Sequence, residues 1–444
     1  MDVSKTLRLI SAPLVLMLLT GCLSDKAWMN ASGSPASVPK DSSLAFESYV
    51  RESLDNIEQV LTKVRVTGSE SPYVGGYSIS DTAKMRGPFQ IPEQLANLCQ
   101  DKVKGAGKGF LLIHGLTDSP YLLRNMADSL AAAYPCSLIR AVLLPGHGTV
   151  VGDTLDMKYQ DWMKITEYGV QSFQRLQSID QLYLVGFSTG TALAIKHLKE
   201  GLSSDKIKGL VLLSTAVKAS SDFAWLTSYL KVFKSWLSEH KERDAARYSS
   251  FSTNAGSQFY QLTKGMVDKK YQVDIPVFMA VSADDATINA SAARDFYCNY
   301  VNHKRKVMFW YLGFEKQPLA QCSGIVQIEK ADIKQQYDGV DYRFANHAHT
   351  GISIDPGDKH YGVSGVYRDC KAYETSASDS QWASCMQDTD NRVFGEKNIA
   401  SMSDVLGGGM WRRGTFNKDY QQLVQGVICF VDQSCSLEHL IEKN

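Results

Sequence analysis

A serine in the middle of the chain has the surroundings of a nucleophile. Gly186-Phe187-Ser188-Thr189-Gly190 matches the pattern G-x-S-x-G, follows the apolar run Leu182–Val185 and opens a predicted helix over Thr189–Lys199. Between a strand and a helix, a sharp turn flanked by small residues lifts the serine hydroxyl above a sheet. The amino end of the helix favours a developing negative charge. These features predict that Ser188 is the nucleophile of an acyl-transfer reaction.

Acyl transfer also needs two hydrogen-bond donors directed at the oxyanion of the tetrahedral intermediate. The backbone N–H of Thr189, directly after the nucleophile, is predicted to supply one of them. The second is predicted to come from the loop after an earlier strand, which ends at His114-Gly115-Leu116. The N–H of Leu116 is the candidate there. We expect the side chain of His114 to orient this loop and to transfer no proton.

Several motifs in chain order carry a family resemblance. They are Leu112-Ile113-His114-Gly115-Leu116, Leu144-Pro145-Gly146-His147-Gly148-Thr149, Asp161-Trp162 and the G-x-S-x-G turn. Together they resemble the capped α/β-hydrolases grouped with monoacylglycerol lipases and bacterial carboxylesterases; serine aminopeptidase-like hydrolases have the same outline. The resemblance implies a carboxylic ester hydrolase with an acyl ester substrate, a triad in the chain order Ser, Asp, His, and no cofactor.

The resemblance also implies where the acid of the triad lies. In the family the acid comes just past a long strand and three residues before an apolar residue. Asp285 fits this position, because it follows the apolar run Val277–Val281 and precedes Ile288 by three residues. Asp284 is the alternative. The acid has to be buried and fixed in order to hold the tautomer of the imidazole.

The base implied by the resemblance is a His in a short loop near the end of the chain. Among the nine His, His349 fits best, because Thr350-Gly351-Ile352 follows it. His347 and His360 are alternatives. In simple members of the family the base follows the last central strand closely, whereas here about thirty residues separate it from the predicted strand Lys306–Leu312.

The elements that must position these residues alternate between buried strands and helices. Such alternation predicts an α/β fold with a mostly parallel, doubly wound sheet and helices on both faces. The predicted strands are Gly109–Ile113, Ser137–Leu144, Gln181–Val185, Ile207–Leu213 and Val277–Val281, and the predicted helices are 44–64, 120–133, 154–176 and 189–199.

The alternation stops in two places within the predicted hydrolase domain, residues 44–444. Between 216 and 270, aromatic and aliphatic residues recur at three- and four-residue steps, which predicts an inserted helical cap over an apolar pocket. Residues 313–340 are predicted to form an additional insertion. The polar stretch 370–400 carries no recognisable chemistry.

The amino terminus has the layout of an export signal. Lys5 and Arg8 precede a short apolar segment that closes with Leu19-Thr20-Gly21-Cys22. This ending resembles the bacterial lipobox and implies a signal peptide over 1–21 and lipid on Cys22 as a membrane anchor. Residues 22–43 are predicted to be a flexible tether. Leu23 favours the outer membrane as the location, since Asp at this position favours inner-membrane retention in such lipoproteins.

Composition excludes some partners and supports export. The 444 residues carry 47 Lys and Arg and 47 Asp and Glu, so the chain lacks the basic excess typical of nucleic-acid binding. Nine Cys are present, and eight remain once the lipid-bearing one is set aside. An even number in an exported protein predicts disulfides. The pairing of least loop length is Cys99–Cys136, Cys298–Cys322, Cys370–Cys385 and Cys429–Cys435. No Cys/His cluster has zinc spacing, so no metal site is predicted.

Two further hypotheses remain open on the same sequence. A serine peptidase or thioesterase uses the same triad, because the triad attacks all acyl groups. A non-catalytic envelope lipoprotein is the alternative from another class.

Overall fold

Short, continuous apolar runs form the strands, as expected where helices cover both faces of a sheet. The computed structural model describes residues 26–66, 73–99, 106–202, 204–313, 322–328, 333–374, 378–388, 392–396 and 409–433. In chain order the strands are β1 Phe89–Ile91, β2 Lys108–Ile113, β3 Leu138–Val142, β4 Gln181–Phe187, β5 Ile207–Leu213, β6 Trp236–Ser238, β7 Phe251–Ser252, β8 Val277–Ser282, β9 Lys306–Tyr311, β10 Ile325–Ile328, β11 Lys334–Tyr337, β12 Val340–Phe344, β13 Val393–Gly395 and β14 Trp411–Arg413.

Eight of these strands make the central sheet, in the order β1-β3-β2-β4-β5-β8-β9-β10. Only β1 runs antiparallel to its neighbour, and the other pairs are parallel. The prediction of a mostly parallel, doubly wound sheet is therefore confirmed. Parallel strands place their carboxyl ends at one edge, and in such sheets binding sites lie at that edge.

Helices cover both faces of this sheet. They are α1 Phe46–Val66, α2 Ile79–Arg86, α3 Arg124–Ala133, α4 Tyr159–Gln174, α5 Thr189–Glu200, α6 Thr227–Leu230, α7 Thr253–Thr263, α8 Ala290–Tyr300, α9 Ser380–Gln387 and α10 Tyr420–Asp432. Side chains alternate along β2: Leu111 and Ile113 pack with α4 and α5, whereas Phe110 and Leu112 pack with α3 and α10. The helices and strands predicted around the nucleophile thus lie where the sequence places them.

The segment between β5 and β8 is only partly helical. The three- and four-residue spacing in 223–237 predicts one helix, but the structure has a short 3-10 turn over Ala224–Leu226, the four-residue α6 and then β6, which pairs with β7. The physical reason is that Phe223 and Phe233 of the repeat are exposed to solvent. A continuous helix would therefore gain no stabilisation from packing its apolar face against the protein. The longer helix α7 follows β7.

The prediction of an insertion over 313–340 is wrong for part of its range. β10 lies inside it and is the parallel edge strand next to β9 in the central sheet. A disulfide from Cys298 on α8 to Cys322 fixes the chain just before β10. A second sheet follows, in the order β11-β12-β13-β14. Its strands come from both the end of this range and the carboxyl third of the chain, which explains why no local pattern marks it as one unit.

The start of the described chain does not behave as a tether. Met29 is buried with Val151 and Tyr248, and Ser32 donates from both its N–H and its hydroxyl to the carboxylate of Asp153, at 2.7 and 2.8 Å. The prediction of a flexible tether over 22–43 is therefore wrong from residue 26 onward, because buried contacts hold this segment on the body. The predicted signal peptide 1–21 and Cys22 lie outside the described residues.

Three of the predicted disulfides are present. They are Cys99–Cys136, Cys298–Cys322 and Cys370–Cys385. Cys429 is also disulfide-bonded, and its predicted partner, Cys435, lies outside the described residues. Among the residues that the structure covers, no helix is both long and apolar enough to cross a bilayer.

Candidate active site

Ser188 stands alone between β4, which ends at Phe187, and α5, which begins at Thr189. Its φ of 50° is in the left-handed region that non-glycine residues rarely adopt. The glycines on either side make this turn possible. A Cβ at Gly186 would lie 2.6 Å from the backbone nitrogen of Thr191, and one at Gly190 would collide with the carbonyl oxygen of Ile113. The turn therefore holds the hydroxyl above the carboxyl edge of the sheet.

The three residues predicted as a triad are joined by hydrogen bonds. Ser188 Oγ lies 2.9 Å from His349 Nε2, and His349 Nδ1 lies 2.6 Å from Asp285 Oδ2. Asp285 Oδ1 also accepts from the backbone N–H groups of Thr287 and Ile288, at 2.8 and 3.0 Å. The carboxylate is thus fixed, and an imidazole whose Nδ1–H donates to it presents Nε2 to the serine hydroxyl as an acceptor.

The alternative acid and bases are engaged elsewhere. Asp284 accepts a hydrogen bond of 2.7 Å from the Asn346 amide. His347 Nε2 lies 2.9 Å from Asp419 Oδ2. His360 Nε2 lies 2.9 Å from Asp244, in a buried cluster behind the site. Neither of these His rings bonds to Ser188 in the structure.

The two residues predicted to donate to the oxyanion line one cavity. Leu116 and Thr189 line the cavity together with Ser188 and His349. The loop that carries Leu116 is held by His147, whose Nε2 accepts from the N–H of Thr117 at 3.1 Å. Burial lowers the pKa of His147 to about 4, so the ring stays neutral and can accept this bond.

His114 supports the same loop, as expected. Its Nε2 accepts from the N–H of Leu144 at 2.9 Å, and its Nδ1–H donates to the carbonyl of Gly115 at 2.8 Å. Burial is the main reason why the pKa of His114 lies well below its usual value, and the neighbouring His147 lowers it further. The ring is therefore neutral and occupied on both nitrogens.

The nucleophile opens into a cavity of about 720 Å³ with two different walls. One wall is apolar and comes mainly from the segment between β5 and β8. We call it the cap wall; its residues are Phe223, Leu226, Leu230, Leu237, Phe251 and Phe259. The other contains four charged side chains, one from the chain just before β7 and three from the carboxyl third. We call it the charged wall; its residues are Arg247, Asp369, Lys371, Trp411 and Arg413.

One residue of the carboxyl third supports the triad directly and escapes prediction from sequence. Glu396 accepts from the backbone N–H of His349 at 2.9 Å and from that of Ala286, next to Asp285, at 3.3 Å. Its carboxylate is held in turn by Arg413, with Nη2 at 2.7 Å from Oε1. Glu396 lies in a polar segment without a motif, so no local signal reveals that it joins the loops of acid and base.

Asp118 is a second residue that sequence reasoning misses. It lines the cavity and is 5% exposed. A Cβ on Gly115 would touch Asp118 Oδ2 and lie 3.0 Å from Ser188 Cβ, so the carboxyl group is beside the nucleophile. Burial raises the pKa of Asp118 to about 6, although Arg247 and His349 oppose the increase.

No group of three or more His, Cys, Asp or Glu with metal-binding geometry occurs among the residues that the structure places.

The chain is similar in sequence and fold to known hydrolases. The chain is 30% identical to the thermostable monoacylglycerol lipase of Bacillus sp. (strain H-257) over 188 residues, which are 40% of this chain and 71% of that protein. Among solved structures, monoglyceride lipase from Saccharomyces cerevisiae, as a soluble variant with a substrate analogue, is 13% identical. The match covers 51% of this chain and 82% of that one, with a TM-score of 0.41.

Monoacylglycerol lipase from Paleococcus ferrophilus is 19% identical; its match covers 47% of this chain and 87% of that one, with a TM-score of 0.37. The profile of the alpha/beta hydrolase family matches residues 110–350, a range that runs from β2 to the loop of His349. The chain belongs to the alpha/beta hydrolase family.

Proposed function

We propose that the protein is a serine hydrolase that cleaves carboxylic esters with apolar, lipid-like acyl groups. The observation that carries the proposal is the continuous chain of hydrogen bonds from Ser188 through His349 to Asp285 at the floor of a cavity with an apolar wall. A strained turn at the serine, an imidazole within hydrogen-bond distance of its hydroxyl, and two nearby residues that can offer backbone N–H groups are what acyl transfer requires.

In the proposed reaction, His349 Nε2 takes the proton from Ser188 as Oγ attacks the acyl carbonyl carbon. Asp285 stabilises the imidazolium that forms and keeps its orientation. The N–H groups of Leu116 and Thr189 bind the oxyanion of the tetrahedral intermediate. His349 then protonates the leaving alcohol, and an acyl-enzyme on Ser188 remains. A water molecule, deprotonated by His349, attacks this acyl-enzyme and releases the acid.

The preference for lipid-like acyl groups rests on the cap wall. Leu226, Leu230 and Phe259 offer apolar surface to one side of the nucleophile, and an acyl chain buried there leaves water. The similarity to a monoacylglycerol lipase points to the same substrate class.

We further propose that the protein is exported and anchored through lipid on Cys22, at the outer membrane. The disulfides support export, because such bonds persist in oxidising compartments. Labelling of cells with radioactive palmitate tests the anchor: we expect labelled protein from the natural chain and none from Cys22→Ser. Equal labelling of the two chains would refute the anchor.

A fluorophosphonate probe followed by mass mapping tests the enzyme proposal. We expect a covalent adduct on Ser188, no adduct in Ser188→Ala, and normal labelling in Ser48→Ala on α1, a change of the same kind away from the site. A panel of esters, thioesters and arylamides with the same acyl chain then defines the bond that is cleaved. Failure to label Ser188 in folded protein would overturn the proposal, and faster turnover of arylamides would change the assignment to a peptidase.

A further inference from the structure

The proposed reaction gives the charged wall no contact with the substrate, although this wall lines the same cavity. Its cations are Arg247, Lys371 and Arg413, and Asp369 is its acid. Asp118 is the other acid in the lining, so three cations and two acids line the cavity. A charge at a site with little water is costly unless a neighbour or a ligand offsets it. The pairing of each cation therefore indicates what the wall can bind.

Two of the three cations pair with acids that stay out of the cavity. Arg247 Nε lies 3.1 Å from Asp244 Oδ2, and Arg247 Nη2 lies 2.8 Å from Asp369 Oδ2. Arg413 Nη2 lies 2.7 Å from Glu396 Oε1. Asp244 and Glu396 are buried and are not part of the cavity lining. The wall therefore presents its cations to the cavity, and not these two acids.

Lys371 is the cation with the weakest pairing. Its Nζ lies 3.7 Å from Asp369 Oδ2, beyond hydrogen-bond distance, and the same oxygen already accepts from Arg247. Burial lowers the pKa of Lys371; Asp369 opposes this decrease, and the positive charges of Arg247 and Arg413 add to it. An ammonium can donate three hydrogen bonds, and the contact with Asp369 is too long to accept one. Lys371 can therefore donate to a ligand in the cavity.

The chain around Lys371 is held in place. The preceding residue, Cys370, forms a disulfide with Cys385 on α9, and the N–H of Lys371 donates to Asp369 Oδ1 at 3.4 Å. The N–H of Arg413 on β14 donates to the carbonyl oxygen of Asp369 at 3.2 Å. Because these contacts fix the backbone, a ligand that binds here has little of the chain to order, which favours its affinity.

The charged wall also lies near the nucleophile. Burial raises the pKa of Asp118, which lies beside Ser188, and the charges of Arg247 and Arg413 oppose the increase. Charges that act on this carboxyl group are close enough for one substrate molecule to contact both Ser188 and the wall. An ester whose acyl chain packs on the cap wall leaves its alcohol part for the charged wall.

We propose that the charged wall binds an anionic group, a carboxylate or a phosphate, on the alcohol part of the ester. Both groups present several oxygens, and charge-assisted hydrogen bonds from Lys371 and Arg247 would hold them. The substrate class is then an ester with an apolar acyl chain and an anionic alcohol. This inference deepens the proposed function and rests on it for the reaction, whereas binding of the anion requires no hydrolysis.

Binding to the full chain with Ser188→Ala tests the site without turnover. The probes are three esters with one octanoyl chain: octanoylglycerol, which is neutral, octanoylglycerol phosphate and octanoylglycerate. Isothermal titration should give a Kd about tenfold lower for at least one anionic ester than for the neutral one. The anion that binds more tightly assigns the group as phosphate or carboxylate.

Added changes at Lys371 connect this preference to the wall. Lys371→Met keeps most of the side-chain volume but removes the charge, and it should abolish most of the difference in Kd. Lys371→Arg should restore part of it. Lys208→Met, at an exposed position of β5 outside the cavity, is the matched control and should keep the full difference. Equal Kd values for the three esters would overturn the proposal, as would a preference for the anionic esters that Lys371→Met leaves undiminished.

Kinetics with intact Ser188 separate the anion site from the proposed function. We expect kcat/KM to be about tenfold higher for the preferred anionic ester than for the neutral one, and Lys371→Met to lower this ratio about tenfold, mainly through KM. If the wild type hydrolyses none of the esters while the Ser188→Ala chain still prefers the anionic ones, the proposed function fails and the anion site stands. If all three are hydrolysed and bound equally, the anion site fails and the proposed function stands.

Discussion

The cap wall and the charged wall of the cavity are built by different means. The cap wall is built from a 3-10 turn, the four-residue helix α6, two short strands and α7, and several of its apolar side chains before β7 are exposed to solvent. In the charged wall, Arg247 bridges Asp244 and Asp369 at 3.1 and 2.8 Å, with all three residues buried. Apolar contact tolerates many shapes, whereas buried ion pairs specify one geometry. We therefore expect the cap wall to accept acyl groups of varied shape, and the charged wall to hold one fixed arrangement of side chains.

Replacement of the triad acid is expected to have the largest effect. Asp285→Asn keeps the shape but removes the charge that holds the imidazole tautomer, so kcat on a soluble ester should fall about 10⁴-fold. Asp284→Asn is the matched control, and it should keep a far larger part of kcat because Asp284 contacts Asn346 and not the imidazole. Equal losses in the two variants would contradict the assignment.

Glu396→Gln tests whether the carboxylate that pairs with Arg413 of the charged wall acts on the triad. The change weakens the pairing with Arg413 and the contacts to the loops of Asp285 and His349, so kcat should fall roughly 100-fold while KM changes little. Glu374→Gln removes another carboxylate of the carboxyl third, one that contacts His240 and Arg243 instead, and should leave kcat near the wild-type value.

The pH profile of kcat tests whether Glu396 positions the triad or only stabilises the fold. If the residue only stabilised the fold, the profile of the remaining activity would keep its shape, and Glu396→Asp would not restore it. Because Glu396 positions His349, we expect the profile of the Gln variant to shift and Glu396→Asp to recover part of kcat. A large rise in KM at constant kcat would contradict a positioning role.

A change in the cap wall should have a smaller effect, confined to binding. Leu226→Ala removes apolar surface from the cavity, and KM for a long-chain ester should rise about tenfold, with kcat on a short ester unchanged. Leu202→Ala, outside the cavity, is the control. A similar rise in KM for short and long chains would indicate that this wall does not contact the acyl chain.

Asp118→Asn should give the smallest effect, and it is one of stability. The native carboxyl holds its proton up to about pH 6, whereas an exposed Asp releases it near pH 4. Between these values the native state binds more protons than the unfolded state, so the stability of the wild type falls as pH rises through this window. The Asn variant should therefore gain about 1–3 kcal/mol relative to the wild type between pH 4 and pH 7. Chemical denaturation at both pH values measures this, and parallel curves would contradict it.

The sequence predicts well those features that depend on residues close together in the chain. The turn at Ser188 follows from two glycines and the flanking apolar periods, and the loop after β2 follows from His114-Gly115-Leu116. The positions of Asp285 and His349 follow from the family resemblance, which supplies an order that composition and spacing alone do not.

The failures concern contacts between distant segments. β10 is short and follows a long connection, so its pairing with β9 has no local mark. Glu396 reaches the backbone of His349 from a polar stretch that is distant in the chain. The burial of Asp118 depends on segments that surround it only in the folded protein. The helical period in 223–237 is also misleading, because an apolar repeat on a surface does not require a protein partner.

The position of Glu396 has a consequence for when activity first arises. As the chain emerges from its amino end, Ser188, Asp285 and His349 are all made before the carboxylate that joins the last two. A chain that ends before residue 396 would contain Ser188, Asp285 and His349 but would lack the carboxylate that connects the loops of Asp285 and His349. We therefore expect the proposed activity to arise only with the final tenth of synthesis, once residue 396 has joined the folded chain.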